Sequence, residues 1–161
     1  MNTDQMFDVP VQDALWRHAT ALDADGLELH YVRWGQGTPQ VLLLHGWPGF
    51  WYDWRRVFPR LAQFTSVIAM DLRGFGFSAK PDWPVHSAYS PEAQAKNVLT
   101  LLYQLNVESI VLGGYVPTCL GYSSCLTLVT SCLLKHLKQS WRLFVRFSNT
   151  WPDSLLFEHI R

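Results

Sequence analysis

The stretch that most constrains this chain is Val41-Leu42-Leu43-Leu44-His45-Gly46-Trp47-Pro48-Gly49, with an echo at Asp71-Leu72-Arg73-Gly74-Phe75-Gly76-Phe77-Ser78. A short unbroken apolar run stopped by Gly and Pro reads as a strand buried on both faces, the kind that fills a parallel sheet. His45 to Gly49 then places two glycines and a proline in five residues. Such a backbone turns tightly and presents a free N–H toward a cleft instead of a ladder. In open parallel sheets the ligand crevice lies at that carboxyl edge.

The rest of the chain is consistent with such a sheet. From Leu27 the pattern alternates, with Leu29, Tyr31 and Val32 against Glu28, His30 and Arg33, and Gly35-Gln36-Gly37 precedes Val41. That predicts an antiparallel hairpin strand leading into the first buried strand, with His30 on the solvated phase. Leu15 to Ala21 carries no assignable pattern. Trp51, Trp54, Val57, Phe58 and Leu61 recur at helical spacing, and Pro59 is expected to kink that helix or start a second piece. Ser66 to Met70 is the next strand, with Gly74 and Gly76 marking the turn after it. Ser90-Pro91-Glu92 opens a helix with a Ser cap and Pro at its first position, and Val98, Leu101, Leu102 and Leu105 keep its period. Ser109 to Leu112 is a third buried strand, closed by Gly113-Gly114. Strand, helix, strand, helix, strand predicts an α/β fold with a doubly wound, mostly parallel sheet.

These motifs carry a resemblance. His-Gly-Trp-Pro-Gly at 45–49, Trp51 to Arg56, Asp71 to Pro81 and Val111 to Tyr115 resemble the N-terminal half of an α/β-fold hydrolase of the epoxide hydrolase and haloalkane dehalogenase type, over roughly Ala21 to Tyr115. The resemblance implies a partial α/β-hydrolase core, a small-molecule substrate and an oxyanion hole built on His45, Gly46, Trp47 and Pro48. The Trp47 N–H is one donor, fixed by a cis bond before Pro48. It also implies a nucleophile at the third position of a Gly-x-nucleophile-x-Gly elbow. Gly114-Tyr115 fills the first two positions, and the third is Val116, which has no lone pair to attack with. Thr118, Cys119, Ser123 and Ser124 are wrongly spaced to replace it. His136 and His159 lie outside any context resembling the family's base. No catalytic residue is therefore assigned, no cofactor is expected, and the chain is read as a truncated family member with little or no turnover.

Composition marks the same boundary. The 161 residues are 48% apolar and 14% aromatic, enough for one domain with a substantial core. Residues 1–115 hold 8 Lys/Arg and 11 Asp/Glu, net −3, whereas residues 116–161 hold 5 and 2, net +3. The zero total leaves no nucleic-acid footprint. Cys119, Cys125 and Cys132 all follow Val116; in an expected reducing compartment they read as thiols rather than a disulfide framework, and their spacing suits no zinc site. Three regions are expected: an N-terminal segment at 1–26, the hydrolase-like half-core at 27–115 and a divergent tail at 116–161. In one shifted frame the codons of residues 117–125 can spell Asp-Val-Pro-Arg-Ile-Gln-Gln-Leu, so an out-of-frame tail is one reading. The spacing of Leu126, Val129, Leu133, Leu137, Trp141 and Phe144, with Lys135, Lys138, Arg142 and Arg146 on another face, predicts a basic amphipathic helix there. It would pack on the sheet or rest on an acidic membrane. The first ten residues have no secretory pattern and no run is long enough to span a bilayer, so a cytoplasmic protein is expected. A noncatalytic module is the rival reading, self-associating through the sheet edge left bare after the third parallel strand.

Overall fold

The computed structural model describes residues 16–37, 40–107, 110–115 and 143–148. Ten elements follow in chain order: β1 (Arg17–Leu22), β2 (Glu28–Trp34), β3 (Gln40–Leu44), a 3-10 turn (Trp51–Trp54), α1 (Phe58–Leu61), β4 (Val67–Met70), α2 (Val85–Ala88), α3 (Pro91–Gln104), β5 (Ile110–Tyr115) and β6 (Leu143–Ser148). They build a mixed six-stranded sheet in the order β1-β2-β4-β3-β5-β6. β3 runs parallel to β4 and β5, and β6 parallel to β5, while β2 is antiparallel to β1 and β4.

The period of two along each strand divides the core into two layers. Leu42, Leu44, Ile68, Met70, Ile110 and Leu112 pack with Ala95, Val98, Leu101 and Leu102 of α3. Val41, Leu43, Val67 and Ala69 pack instead with Trp16, Trp51, Trp54 and Phe58. Right-handed crossovers require this division, because β3 to β4 steps one way along the sheet and β4 to β5 steps back past β3. Each fully buried Leu or Val of α3 contributes roughly 1.5 to 3 kcal/mol. The helix begins as its sequence dictates: the Ser90 hydroxyl accepts the Ala93 N–H at 3.2 Å and Pro91 takes the first turn. Ser90→Ala should lower stability by about 1 kcal/mol, read from the urea midpoint.

Several expectations are corrected. β2 does not form a hairpin with β3. It pairs with β1 through the Asp23–Gly26 turn, and its other edge is taken by β4. The Asp23 carboxylate drives that turn by accepting the Asp25 and Leu27 N–H groups at 2.8 and 2.9 Å. Paired on both edges, with Leu29 and Tyr31 in the α3 layer and Val32 in the aromatic layer opposite, β2 has no solvated phase at its centre, and His30 is 6% exposed. The aromatic helix after β3 is two pieces, as Pro59 foretold: the 3-10 turn and then α1, with Pro59 in its first turn. Gly113 and Gly114 do not close β5 but pair within it, opposite Leu43 and Leu44, where a Cβ on Gly113 would stand 2.8 Å from the Leu43 side chain. Phe144 and Arg146, assigned by spacing to a helix, lie in β6; the other residues of that pattern, 126–142, are outside the described residues. Leu-Phe-Val-Arg-Phe-Ser is rich in strand-favouring types, and β5 offers it an open ladder. With β6 seated there, the edge of the third parallel strand, expected to be bare, is paired within this chain itself.

Candidate active-site crevice

The sheet order locates the crevice. The chain leaves β3 toward β4 on one side and leaves β5 toward β6 on the other, so the topological switch falls between the carboxyl ends of β3 and β5. Register sets Leu44 opposite Gly114, which brings the turn beginning at His45 level with Tyr115. His45, Gly46, Trp47 and Pro48 are therefore together at this edge. The Trp47–Pro48 bond is cis, and Trp47 is 59% exposed. Val116, the residue immediately after β5, lies outside the described residues, as do Thr118, Cys119, Ser123, Ser124, His136 and His159.

His45 is the peg that holds this turn. It is 1% exposed, its Nδ1 lies 2.8 Å from the Gly46 carbonyl, and its Nε2 accepts the Leu72 N–H at 3.0 Å. A nitrogen accepting an N–H carries no proton, so Nε2 is bare and Nδ1–H donates to Gly46. Burial pushes the imidazole below its ordinary pKa, against the raising pull of the Gly46 carbonyl and of Asp71 and Asp53. One neutral ring thus ties the end of β3 to the end of β4 and folds the turn back on itself. Gly49 follows at a point where no side chain fits: an added Cβ would strike the Asp53 carboxylate and come within 2.8 Å of the Gly46 oxygen.

Asp71 is the second fixture, and sequence reasoning gave it no role of its own. Its carboxylate accepts hydrogen bonds from the Trp51 N–H at 2.6 Å, the Phe77 N–H at 2.9 Å and the His30 Nδ1–H at 2.9 Å. Those partners come from the 3-10 turn after β3, the loop after β4 and the middle of β2. Burial is the strongest influence on Asp71 and opposes its charge, but the His30 side chain and the Phe77 and Trp51 amides together outweigh it and hold the carboxyl below the ordinary range. Gly76 is obligatory beside it, with φ +48° and a missing Cβ that would overlap the carboxylate. Ser78 locks the same loop to β2, donating to the Asp71 carbonyl at 2.6 Å and accepting the His30 N–H at 2.8 Å.

A third fixture lies behind the loop. Arg73, 1% exposed, sends its guanidinium to Asp23 and Asp25 in the β1–β2 turn, and to Asn97 of α3 at 3.1 Å. Gln94 of α3 completes the join, accepting the Arg73 N–H at 3.1 Å and donating to the Arg73 carbonyl at 2.8 Å. Among the described residues no group of three or more His, Cys, Asp or Glu is placed to hold a metal ion, and no helix is long and apolar enough to cross a membrane.

The frame thus defined is that of an α/β hydrolase. Residues 39–115 match the family model described as the alpha/beta hydrolase fold. Within that fold its similarity is to epoxide hydrolases and a haloalkane dehalogenase. It is 42% identical over 91 residues to the soluble epoxide hydrolase of Corynebacterium sp. (strain C12), covering 56% of this chain and 30% of that protein. The crystal structure of an epoxide hydrolase from Vigna radiata superposes with a TM-score of 0.57 at 30% identity, covering 65% of this chain and 32% of that one. A haloalkane dehalogenase from Agrobacterium tumefaciens C58 gives 0.54 at 30% identity, covering 63% and 32%. This chain therefore spans about a third of the length of these relatives.

Proposed function

We propose that this chain carries the oxyanion-stabilising part of an epoxide-opening hydrolase, centred on the Trp47 N–H, and that the 161-residue polypeptide does not itself turn over an epoxide, a haloalkane or an ester. The observation that supports the first half is the position of the His45–Pro48 turn. It stands at the switch point of the sheet, level with the end of β5, and a buried neutral histidine holds its backbone. An amide fixed in this way can stabilise developing negative charge without reorganising during the reaction. Small epoxides and haloalkanes are the substrate class of this reading.

The second half rests on Val116. Family chemistry of this kind requires an oxygen nucleophile after β5, an ester intermediate and a base-activated water to release it. Valine supplies no oxygen. The expected result for the purified polypeptide, in a cytoplasm-like reducing buffer, is no product from styrene oxide, 1-bromobutane or p-nitrophenyl acetate above the rate of a denatured control. Multiple turnovers on any of them, in material shown by mass spectrometry to be free of a longer hydrolase, would overturn this half. The donor is tested apart from turnover: amide chemical shifts at Trp47 should move on titration with a carboxylate anion, and an unmoved Trp47 removes the oxyanion reading.

A further inference from the structure

We propose that His18, on the edge strand β1, is a positioning residue for the two turns that flank the crevice, acting through His30 and Asp71. His18 Nδ1 lies 2.9 Å from His30 Nε2, and His30 Nδ1 lies 2.9 Å from Asp71 Oδ2. The imidazole centroids are 5.2 Å apart with planes inclined by 30°, so the rings meet end to end rather than stacking. At the far end, Asp71 receives the amides of Trp51 and Phe77. A continuous line of polar contacts therefore runs from the surface of β1 through the centre of β2 to both turns.

The direction of each bond follows from the buried end. An ionised carboxylate only accepts, so His30 must present Nδ1–H to Asp71. In the neutral ring this leaves Nε2 as a lone pair, 2.9 Å from His18 Nδ1 on β1. His18 Nδ1–H is its donor. With His18 in place, His30 has one tautomer and one ring orientation that satisfy both neighbours. Without it, Nε2 loses its partner and the ring can rotate, which loosens the grip on Asp71. Trp51 braces the pair from the side, its ring 5.0 Å from His18 and nearly perpendicular, and 6.4 Å from His30. The same residue thus feels His18 through its ring and, by way of His30 and Asp71, through its backbone N–H.

The inference depends on the crevice reading only for why these turns matter, and its test uses no substrate. In the unsubstituted protein, 15N spectra of the imidazoles should show His30 protonated at Nδ1 and bare at Nε2, with a coupling across the hydrogen bond to His18 Nδ1. A bare His30 Nδ1, or no coupling, overturns the proposal without any variant. In His18→Leu, hydrogen exchange at the Trp51 and Phe77 amides should quicken about fivefold, the factor that losing one net hydrogen bond implies. Exchange at Val98 and Leu101 inside α3 should stay unchanged. His18→Gln, which keeps a donor of similar reach, should restore most of the protection. Equal acceleration everywhere would mean that His18 serves general stability alone, and unchanged Trp51 and Phe77 amides would mean that it serves neither turn; both results overturn the proposal.

Discussion

Replacing Asp71 with Ala is expected to lower unfolding free energy by about 3 to 5 kcal/mol, because three hydrogen bonds to one buried carboxylate, each of about 1.5 to 3 kcal/mol and not fully additive, are lost together. Asp71 is fully buried, and its loss would leave the Trp51 and Phe77 N–H groups and the His30 ring without the acceptor they share. A domain holds only about 5 to 15 kcal/mol in total, so the variant should populate unfolded chains at modest urea. Asp71→Asn separates charge from shape. It keeps the volume, but one of its two polar atoms is a donor and would face a donor. Its loss should remain well above that of a surface substitution.

The same group sets an acid limit. Asp71 titrates below the ordinary carboxylate range in the folded chain, so its charged contacts contribute in full above the unfolded value of about 3.9. The contribution is lost as pH falls from there through the lower folded value, because in that window the unfolded chain takes up the proton more readily. Urea midpoints measured from pH 6 down to pH 2 should fall more steeply in the unsubstituted protein than in Asp71→Asn. Parallel curves would show that Asp71 carries none of the acid sensitivity.

How much of this was legible in the sequence depends on the range of the interaction. Val41–Leu44, Val67–Met70 and the Ser90-capped helix were legible because a buried run and a capped amphipathic helix are written in contiguous residues. The turn at His45–Pro48 was legible for the same reason, its glycines and proline being local instructions. His30 was misread because alternation reports a half-buried strand, and nothing near residue 30 shows that β4 will cover its other edge and place Asp71 against its ring. Asp71 and Arg73 looked like polar residues of a turn, yet their partners are 41 and 50 residues away in sequence. A charged residue directly following a fully apolar strand was the available hint. Phe144 shows the opposite limit, since a spacing that suits a helix does not prevent its residues from completing a sheet when a neighbouring strand offers an open edge.

Arg73→Met is expected to cost about 3 to 5 kcal/mol as well, for a different reason: it leaves the Asp23 carboxylate, whose side chain has no exposure, without its countercharge. Asp23 cannot swing out to water, because its other oxygen holds the Asp25 and Leu27 amides that shape the β1–β2 turn. The contribution of charge can be isolated with Asp23→Asn, which keeps an oxygen for those amides. Combined with Arg73→Met it should recover roughly 1.5 to 3 kcal/mol of the single-variant loss, the size of a hydrogen bond to a charged group. Arg73→Lys should rescue less than its charge suggests. The guanidinium reaches Asp23, Asp25, Asn97 and the Ala88 carbonyl from one planar fork, and an ammonium cannot address all four directions from a single nitrogen. If Lys proved as stable as Arg in urea, the join between the β1–β2 turn and α3 would depend on net charge and not on the shape of that fork. Geometry argues otherwise, because Asn97 and Ala88 offer neutral oxygens that charge alone does not select.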